Sequence, residues 1–476
     1  MDFISVTYLV SLSILLILYY MIPKNRQWIS LLVFSIIFYT LFSWKMWFFM
    51  LFTCITTFLY ARYLKNSKCF LFVIILMNIS ILFLLKLISS DLLFVTSHNL
   101  NRFSVFVPVG ISFYTLQSIA YMVDAHRNHI QAENNIFKYL LFMTFFPQVL
   151  QGPIPRYSDL KEELFREHSF SEEEVIKGFY LLLWGLFQKM VIADRCNLVV
   201  NHIFEQYTSY EGFFLILGGV LYSIQLYTDF AGCVCIAMGS AQMFGIHLKP
   251  NFNHPYFAVS IKDFWRRWHI SLSAFLRDYV YIPLGGNRKG KLLKYMNIMI
   301  TFLVSGIWHG VGLHYMVWGF LHGFYQVAGE IMQPVKDFLM KITKTEKGSF
   351  THLFVSRCFT FFLVMIAWVF FRAESVQKAV YIVFHMFTKF NPWIFVSGEL
   401  YSLGIKEEEW GLLLLSGIVM IVVALLHERK ISIRDYFIKQ PLFFRWAVLL
   451  CLIFLILITG VYGPGYDSAQ FIYGGF

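Results

Sequence analysis

Eight stretches of this chain, Ile4–Ile22, Trp28–Trp44, Met46–Tyr60, Cys69–Ile88, Phe213–Phe230, Leu353–Phe371, Gly411–Leu426 and Arg445–Val461, are apolar almost without interruption. Each approaches the ~20 residues that a helix needs to cross about 30 Å of hydrocarbon. Backbone amides in lipid must be satisfied within the segment, so runs of this length leave few options besides a bundle of membrane helices. Weaker runs at Val105–Val123, Phe137–Leu150, Val175–Ala193, Ala231–Ile246 and Met296–Gly329 raise the expected number of embedded helices to about ten to thirteen. Composition agrees: 58% of residues are apolar and 14% charged, with a mean hydropathy of +0.62. The expected fold is an all-α polytopic membrane protein with re-entrant or interfacial segments, forming one transmembrane domain over residues 1–476. Met1–Val6 has no basic n-region, so the first apolar run is expected to remain as a span.

The net charge of +11 is distributed in short loops that alternate with the apolar runs. Lys24 and Arg26; Arg62, Lys65 and Lys68; Arg127; Arg156 to Lys177; Arg266 to Lys294; Lys336 to Lys347; and Arg429 to Lys439 fall on one side by counting. The positive-inside rule makes that side cytosolic. Ser89–Asn101, with Asp91 and no basic residue before Arg102, and the acidic Glu399–Glu409 are then expected outside, as is the N-terminus. Charge spread over membrane loops, rather than gathered on one soluble face, excludes nucleic-acid binding. The seven cysteines lie mostly within apolar runs with no CxxC pair and read as small hydrophobes, with no metal-ligand spacing among them. Pro155–Lys177 reads as a cytosolic amphipathic connector.

One segment resists the lipid-facing description. DFWRRWHISLSAFLRDYVYIPL, Asp263 to Leu284, carries Asp263, Arg266, Arg267, Arg277 and Asp278. These charges would cost roughly 2.5–3.5 kcal/mol each at the centre of a span, about 12–18 in all, against about 2–4 returned by its apolar residues. At helical spacing Trp265, Trp268, His269, Leu272 and Leu276 share one face, and Arg267, Ser271, Ala274 and Asp278 share a more polar one. Asp263 precedes Arg267 by four residues, the favourable order for an ion pair. The segment is therefore expected to be an interfacial or protein-enclosed helix, followed by a Gly285–Gly286–Asn287 turn into the basic Arg288–Lys289.

A second segment, SGIWHGVGLHYMVWGFLHG from Ser305 to Gly323, places His309 after a strongly apolar run and brackets it with Gly306, Gly310 and Gly312. An ionisable residue at that depth marks a functional site or an inter-helix hydrogen bond. Gly306 and Gly310 let a neighbouring helix or a ligand approach the backbone. Gly310 and Gly312 weaken the helix where His309 would face a cavity. His314 and His322 read as interfacial or inter-helix hydrogen-bonding groups.

FWRRWHISLSAFLRDYVYIPLGGNR followed by GIWHG resembles the two signature segments of the membrane-bound O-acyltransferases. The branch it resembles is the bacterial one that includes the alginate acetylation membrane protein and the teichoic acid D-alanyl transfer protein. PVGISFYTLQSIAYMVDAHR, FFPQVLQGPIPRY, YTDFAGCVCIAMGSAQMFGI, NFNHPYFAVSIKDFWRRWH and the closing GYDSAQFIYGGF are similar to that branch too. Cys233-Val-Cys235 and the Gly474–Gly475 ending depart from its pattern and leave the subgroup open.

The resemblance implies that His309 is the catalytic histidine and His269 a second functional one, within a plasma-membrane enzyme built around a central funnel. The donor would be an acyl thioester, acetyl-CoA or an acyl carrier protein. An imidazole suits a reaction whose need is a deprotonated nucleophile near neutral pH, with His309 as general base or transient acyl acceptor. Arg267, Asn287, Arg288 and Lys289 would hold the donor's phosphates on the cytosolic side. Trp265, Gly306, Trp308 and Gly310 would shape the channel. The acceptor would be an extracytoplasmic polysaccharide or cell-wall polymer, with an SGNH-type transferase as partner. D-alanyl transfer is the alternative chemistry. A transporter would be expected to carry internal repeats, which are absent from the sequence, and an inactive scaffold would tolerate loss of His309.

Overall fold

The structure, a computed structural model, describes residues 3–42, 44–89 and 110–462. Helix is the only regular secondary structure among the described residues, which include no strand. Asp91, Arg102, the start of the Val105–Val123 run, Gly474, Gly475 and nearly all of the loop expected outside at Ser89–Asn101 lie outside the described residues, as does the GYDSAQFIYGGF segment.

The apolar runs become helices α1 (Val6–Met21), α2 (Gln27–Phe42), α3 (Trp47–Leu59) and α4 (Lys68–Ser89), then α5 (Ile111–His126) and α6 (Ile136–Thr144). They are followed by α7 (Tyr157–Phe165), α8 (Glu172–Leu186), α9 (Asp194–Glu205) and α10 (Phe213–Met243). Seven helical stretches among the described residues are long and apolar enough to cross a membrane: Trp44–Leu64, Lys68–Ile88, Glu172–Glu205, Phe213–Met243, Phe350–Arg372, Glu407–Glu428 and Leu442–Thr459. The chain is a multi-pass membrane protein. Large apolar side chains on the last of these helices, such as Phe443 and Ile458, are exposed, as lipid-facing residues are.

Phe213–Phe230 and Ala231–Ile246, distinct as runs in the sequence, form one helix in α10, because nothing between them breaks it. Its second half packs on α8 through paired glycines. A methyl group added at Gly232 would lie 2.8 Å from the Gly185 carbonyl oxygen, and one at Gly239 would lie 2.5 Å from that of Gly178. Both pairs are spaced by seven residues, which keeps one face of each helix turned to the other over two turns.

Backbone contacts gather into two units, each assembled from discontinuous stretches. The first combines the described residues of Met1–Lys189, Phe230–Pro250 and Lys430–Phe476; the second combines Met190–Asp229 and Asn251–Arg429.

In the first unit, the expected connector around 155–177 is a short helix, α7, and a loop leading into α8, both packed against a hydrogen-bonded core. Glu133, almost fully buried, accepts from the backbone N–H groups of Asn134 (2.9 Å) and Asn135 (3.1 Å) and from the Tyr157 hydroxyl. Lys161 Nζ lies 3.5 Å from its other face. Burial alone would raise this carboxyl, but the hydrogen bonds from Tyr157, Asn135 and Asn134 outweigh it and hold the group below the usual glutamate value. His168, also buried, donates from Nδ1 to the Phe244 carbonyl at 2.7 Å and accepts at Nε2 from Arg166 Nε at 3.2 Å. Its backbone N–H and C=O both engage the Gln27 side chain at 3.0 Å.

The second unit carries α11 (Ile261–Arg267), α12 (Ile270–Leu276), α13 (Lys291–His309), α14 (Leu313–Ile331), α15 (Gln333–Ile342), α16 (Phe350–Arg372), α17 (Val376–His385) and α18 (Glu407–Glu428). Helices α19 (Ile433–Ile438) and α20 (Leu442–Thr459) return to the first. The α13–α14 hairpin is tight. A methyl at Gly306 would lie 2.4 Å from the Tyr315 carbonyl oxygen, and one at Gly319 would lie 2.4 Å from that of Phe302. Of the two readings of Gly306, approach by a helix or by a ligand, the structure shows the helix.

Candidate active site

The Asp263–Leu284 segment is not one continuous helix. Ser260 caps α11 by accepting the Asp263 N–H at 3.1 Å, and α11 ends at Arg267. His269 then takes the left-handed conformation, φ 43° and ψ 56°, before α12 begins. A non-glycine residue in that region is uncommon, though histidine visits it more readily than most. The break has a long-range cause, because Asn251 and Asn253 supply what a continued helix would have supplied. Asn253 N–H donates to the Arg267 carbonyl and Ile270 N–H to the Asn251 carbonyl, each at 2.9 Å. The Asn251 side-chain oxygen accepts from Ser271 N–H at 3.0 Å and from the Ser271 hydroxyl at 2.9 Å. The expected burial pattern survives the kink: Trp265, Trp268, His269, Leu272 and Leu276 are all buried.

Those contacts also determine the protonation of His269. A backbone N–H can only donate, so the Asn251 oxygen must face Ser271, and the amide nitrogen therefore faces His269 Nδ1 at 3.2 Å. An amide nitrogen donates, so Nδ1 accepts and the proton of the neutral ring sits on Nε2. Burial pushes this imidazole down to about 3, so it is neutral at physiological pH. His269 is thus a hydrogen-bond donor through Nε2.

His309 is the last residue of α13 and is 2% exposed. The helix stops there because Gly310 adopts an extended conformation; the space beside Gly310 is filled by the Tyr315 ring. The His309 ring meets Trp308 at 4.7 Å, Trp318 at 5.0 Å and Phe371 at 5.1 Å between centroids. Trp308 also meets His269 at 6.3 Å. Two imidazoles forty positions apart in sequence therefore share one tryptophan as neighbour.

Sequence reasoning missed part of the surroundings. Trp265 Nε1 donates to His322 Nδ1 at 3.2 Å, the inter-helix hydrogen bond expected of that histidine. Trp318 lies between His309 and His322, 5.0 Å and 5.1 Å from them. Among the described residues, Ser305 Oγ, Trp318 Nε1 and His322 Nε2 are buried without a hydrogen-bond partner. Leaving a polar group in that state costs about 1–3 kcal/mol each. The signal available in sequence was the i, i+4 pair Trp318–His322, flanked by Gly319 and Gly323 on a helix face. Asn251 carried no local signal at all.

The basic residues separate into two kinds. Arg267 is half-buried and already occupied. Its Nε lies 3.2 Å from Asp263, as the i, i+4 spacing led one to expect, and its Nη1 pairs with Glu428 and reaches the Asn253 carbonyl at 3.4 Å. Asn287, Arg288 and Lys289 are exposed on a turn in which Gly285 (φ 108°) and Gly286 (φ 58°) take positive φ. Asn297 Nδ2 anchors that turn by donating to the Gly286 carbonyl at 2.9 Å.

A family model described as MBOAT, membrane-bound O-acyltransferase family, matches residues 94–373. The chain is 34% identical over 398 residues to the probable alginate O-acetylase of Pseudomonas putida, a match covering 80% of this chain and 79% of that one. Its match to the probable alginate O-acetylase of Pseudomonas fluorescens is also 34% identical, over 71% of this chain and 63% of that protein, just under two thirds of the relative's length. It is 35% identical to the peptidoglycan O-acetyltransferase of Helicobacter pylori, over 60% of this chain and 59% of the other. The matched residues include both histidines, Trp308 and the basic turn, and on that basis the chain belongs to the membrane-bound O-acyltransferases, a family of acyl-transferring enzymes.

Proposed function

We propose that this protein moves an acetyl group from a cytosolic thioester, acetyl-CoA or an acetylated carrier protein, to a hydroxyl presented from the far side of the membrane. The observation that carries the reading is the pair of buried imidazoles, His269 and His309, that both neighbour Trp308. His309 takes the proton of the attacking hydroxyl as its oxygen bonds to the acyl carbon. The C–S bond then breaks, and His309 returns the proton to the departing thiolate. His269, a neutral Nε2–H donor, is suited to hydrogen-bond the reacting groups without competing for the proton.

The exposed turn with Asn287, Arg288 and Lys289 meets the donor's phosphates, where cations and backbone N–H groups bind them. Arg267, held by Asp263 and Glu428, braces α11. Trp265 and Trp308 bound the passage to His309, while Gly306 and Gly310 let α14 and the Tyr315 ring close in behind it. The names of the relatives, alginate O-acetylase and peptidoglycan O-acetyltransferase, support an extracytoplasmic polysaccharide or cell-wall polymer as the final acceptor. An SGNH-type transferase outside would be the partner that completes delivery.

Sealed vesicles of known orientation test the reading, with acetyl or D-alanyl thioester on one side at a time and acceptor on the other. Product only from donor on the cytosolic face is expected. Product from donor on the opposite face alone, or equally from both, would overturn the direction, and transfer of D-alanyl alone would overturn the acetyl assignment. In the same assay Arg288→Ala raises KM for the donor with kcat little changed, the signature of uniform binding.

A further inference from the structure

We infer that Trp318 and His322 form a carbonyl-binding site for the acyl group, a role that rests on the transfer reaction proposed above. Indole N–H can only donate, so Trp265 Nε1, 3.2 Å from His322 Nδ1, makes that nitrogen the acceptor. The proton of neutral His322 must then lie on Nε2. That N–H is buried without a hydrogen-bond partner among the described residues, and so is the N–H of Trp318. Both rings are fully buried, and they meet edge to face with centroids 5.1 Å apart.

Two buried donors on the same face of α14, one turn apart, thus lack an acceptor. Ser305, one turn before His309 on α13, adds a hydroxyl in the same condition. Buried polar groups in native proteins are almost always paired, and a set of donors points to a missing oxygen. Trp318 also touches the His309 ring at 5.0 Å, so an oxygen held by its N–H lies beside the base. The acyl carbonyl fits: during transfer its oxygen gains negative charge as the acceptor oxygen bonds to carbon, and loses it when the C–S bond breaks. Donors already oriented toward that oxygen stabilise it most when the charge is greatest. Trp265 acts through His322, as a positioning residue that selects the tautomer.

A buried water is the other oxygen that could sit there, and two measurements separate the possibilities. The first is steady-state kinetics of Trp318→Phe, which keeps the ring and deletes the N–H. A fall in kcat of about 10²-fold with KM nearly constant is expected, the scale of losing one oxyanion donor. His322→Gln, whose amide can accept from Trp265 and still donate, should retain far more activity than His322→Phe. The second is isotope-edited infrared spectroscopy of a ¹³C-carbonyl acetyl thioester bound to the otherwise inert His309→Ala protein. Adding Trp318→Phe or Trp265→Phe to that protein should move the carbonyl stretch to higher frequency as hydrogen bonds are lost or misdirected. An unchanged kcat in Trp318→Phe, or an unmoved carbonyl band, assigns the donors to water and overturns the inference. A wild-type protein that transfers no acyl group would instead overturn the function proposed above.

Discussion

The loop cluster around Glu133 and His168 and the α13–α14 hairpin both bury titratable side chains, and they treat them in opposite ways. Both carboxylate oxygens of Glu133 are engaged by protein donors, and both ring nitrogens and both backbone groups of His168 are bonded. On the hairpin, Ser305, Trp318 and His322 each keep a buried polar atom without a protein partner. A closed network rigidifies the fold and leaves nothing for a ligand to bond. An open one costs stability in the isolated protein and recovers it only when something else arrives. On the function proposed above, the hairpin is where the chemistry would be done, and the loop cluster is framework.

Substitutions can break or sharpen that contrast. The largest effect is expected from His309→Ala, with a loss of at least about 10²-fold in acyl transfer and an unchanged yield of folded protein in the membrane. A variant that keeps more than about a tenth of the wild-type rate would remove the base from this position.

Glu133→Leu should do the reverse. It strands the Tyr157 hydroxyl and two backbone N–H groups, for a loss of about 2–4 kcal/mol in stability, while activity per folded molecule stays near normal. Thermal unfolding in detergent, paired with a count of active protein, reads both quantities. A Glu133→Leu protein that unfolds like wild type but turns over slowly would erase the distinction.

Asn251→Ala tests the border between framework and site, since Asn251 holds the backbone kink and the His269 tautomer together. About 1–3 kcal/mol of stability should go with its hydrogen bonds to Ser271 and His269, and kcat should fall as well. Loss of stability without loss of kcat would place His269 in the framework.

The smallest effect concerns pH. Burial, and then Arg166, lower the His168 pKa from its ordinary 6.5, with Glu163 opposing and His247 adding to the shift; burial takes His269 down to about 3. A depressed imidazole contributes stability that is complete above the unfolded value of 6.5. That contribution is lost as pH falls toward the folded value, because the unfolded chain takes up the proton first. Stability, and with it the melting temperature, should therefore drop between pH 7 and pH 5. In His168→Gln the slope should be shallower, and an equal slope in both proteins would exclude this imidazole as a source.

What could be read in advance, and what could not, follows the range of the interactions. Membrane helices were legible because twenty apolar residues state their own environment, and the Asp263–Arg267 pair because four residues is one helical turn. The kink at His269 was not, since its causes, Asn251 and Asn253, lie some eighteen residues upstream in a loop without periodicity. Nor was the Trp318–His322 pair, whose meaning depends on α13 lying against α14 and on a donor contributed by α11. His309 stood out in the sequence because glycines surround it, yet Gly306 accommodates the neighbouring helix.

That last contact bears on how the protein is made. Neither α13 nor α14 is among the seven stretches of the described residues that are long and apolar enough to cross a membrane; α13 begins with Lys291 and Lys294, and α14 contains two histidines and Glu330. Close backbone packing through Gly306 and Gly319 gives the two a reason to leave the insertion machinery together, as a preformed hairpin whose polar groups face each other or the protein. A bulkier residue at Gly306 would then act during biogenesis, producing chains with this hairpin stalled at the membrane surface and open to protease. On the proposed function, the histidine that would perform the reaction is delivered to its depth by a glycine that takes no part in it.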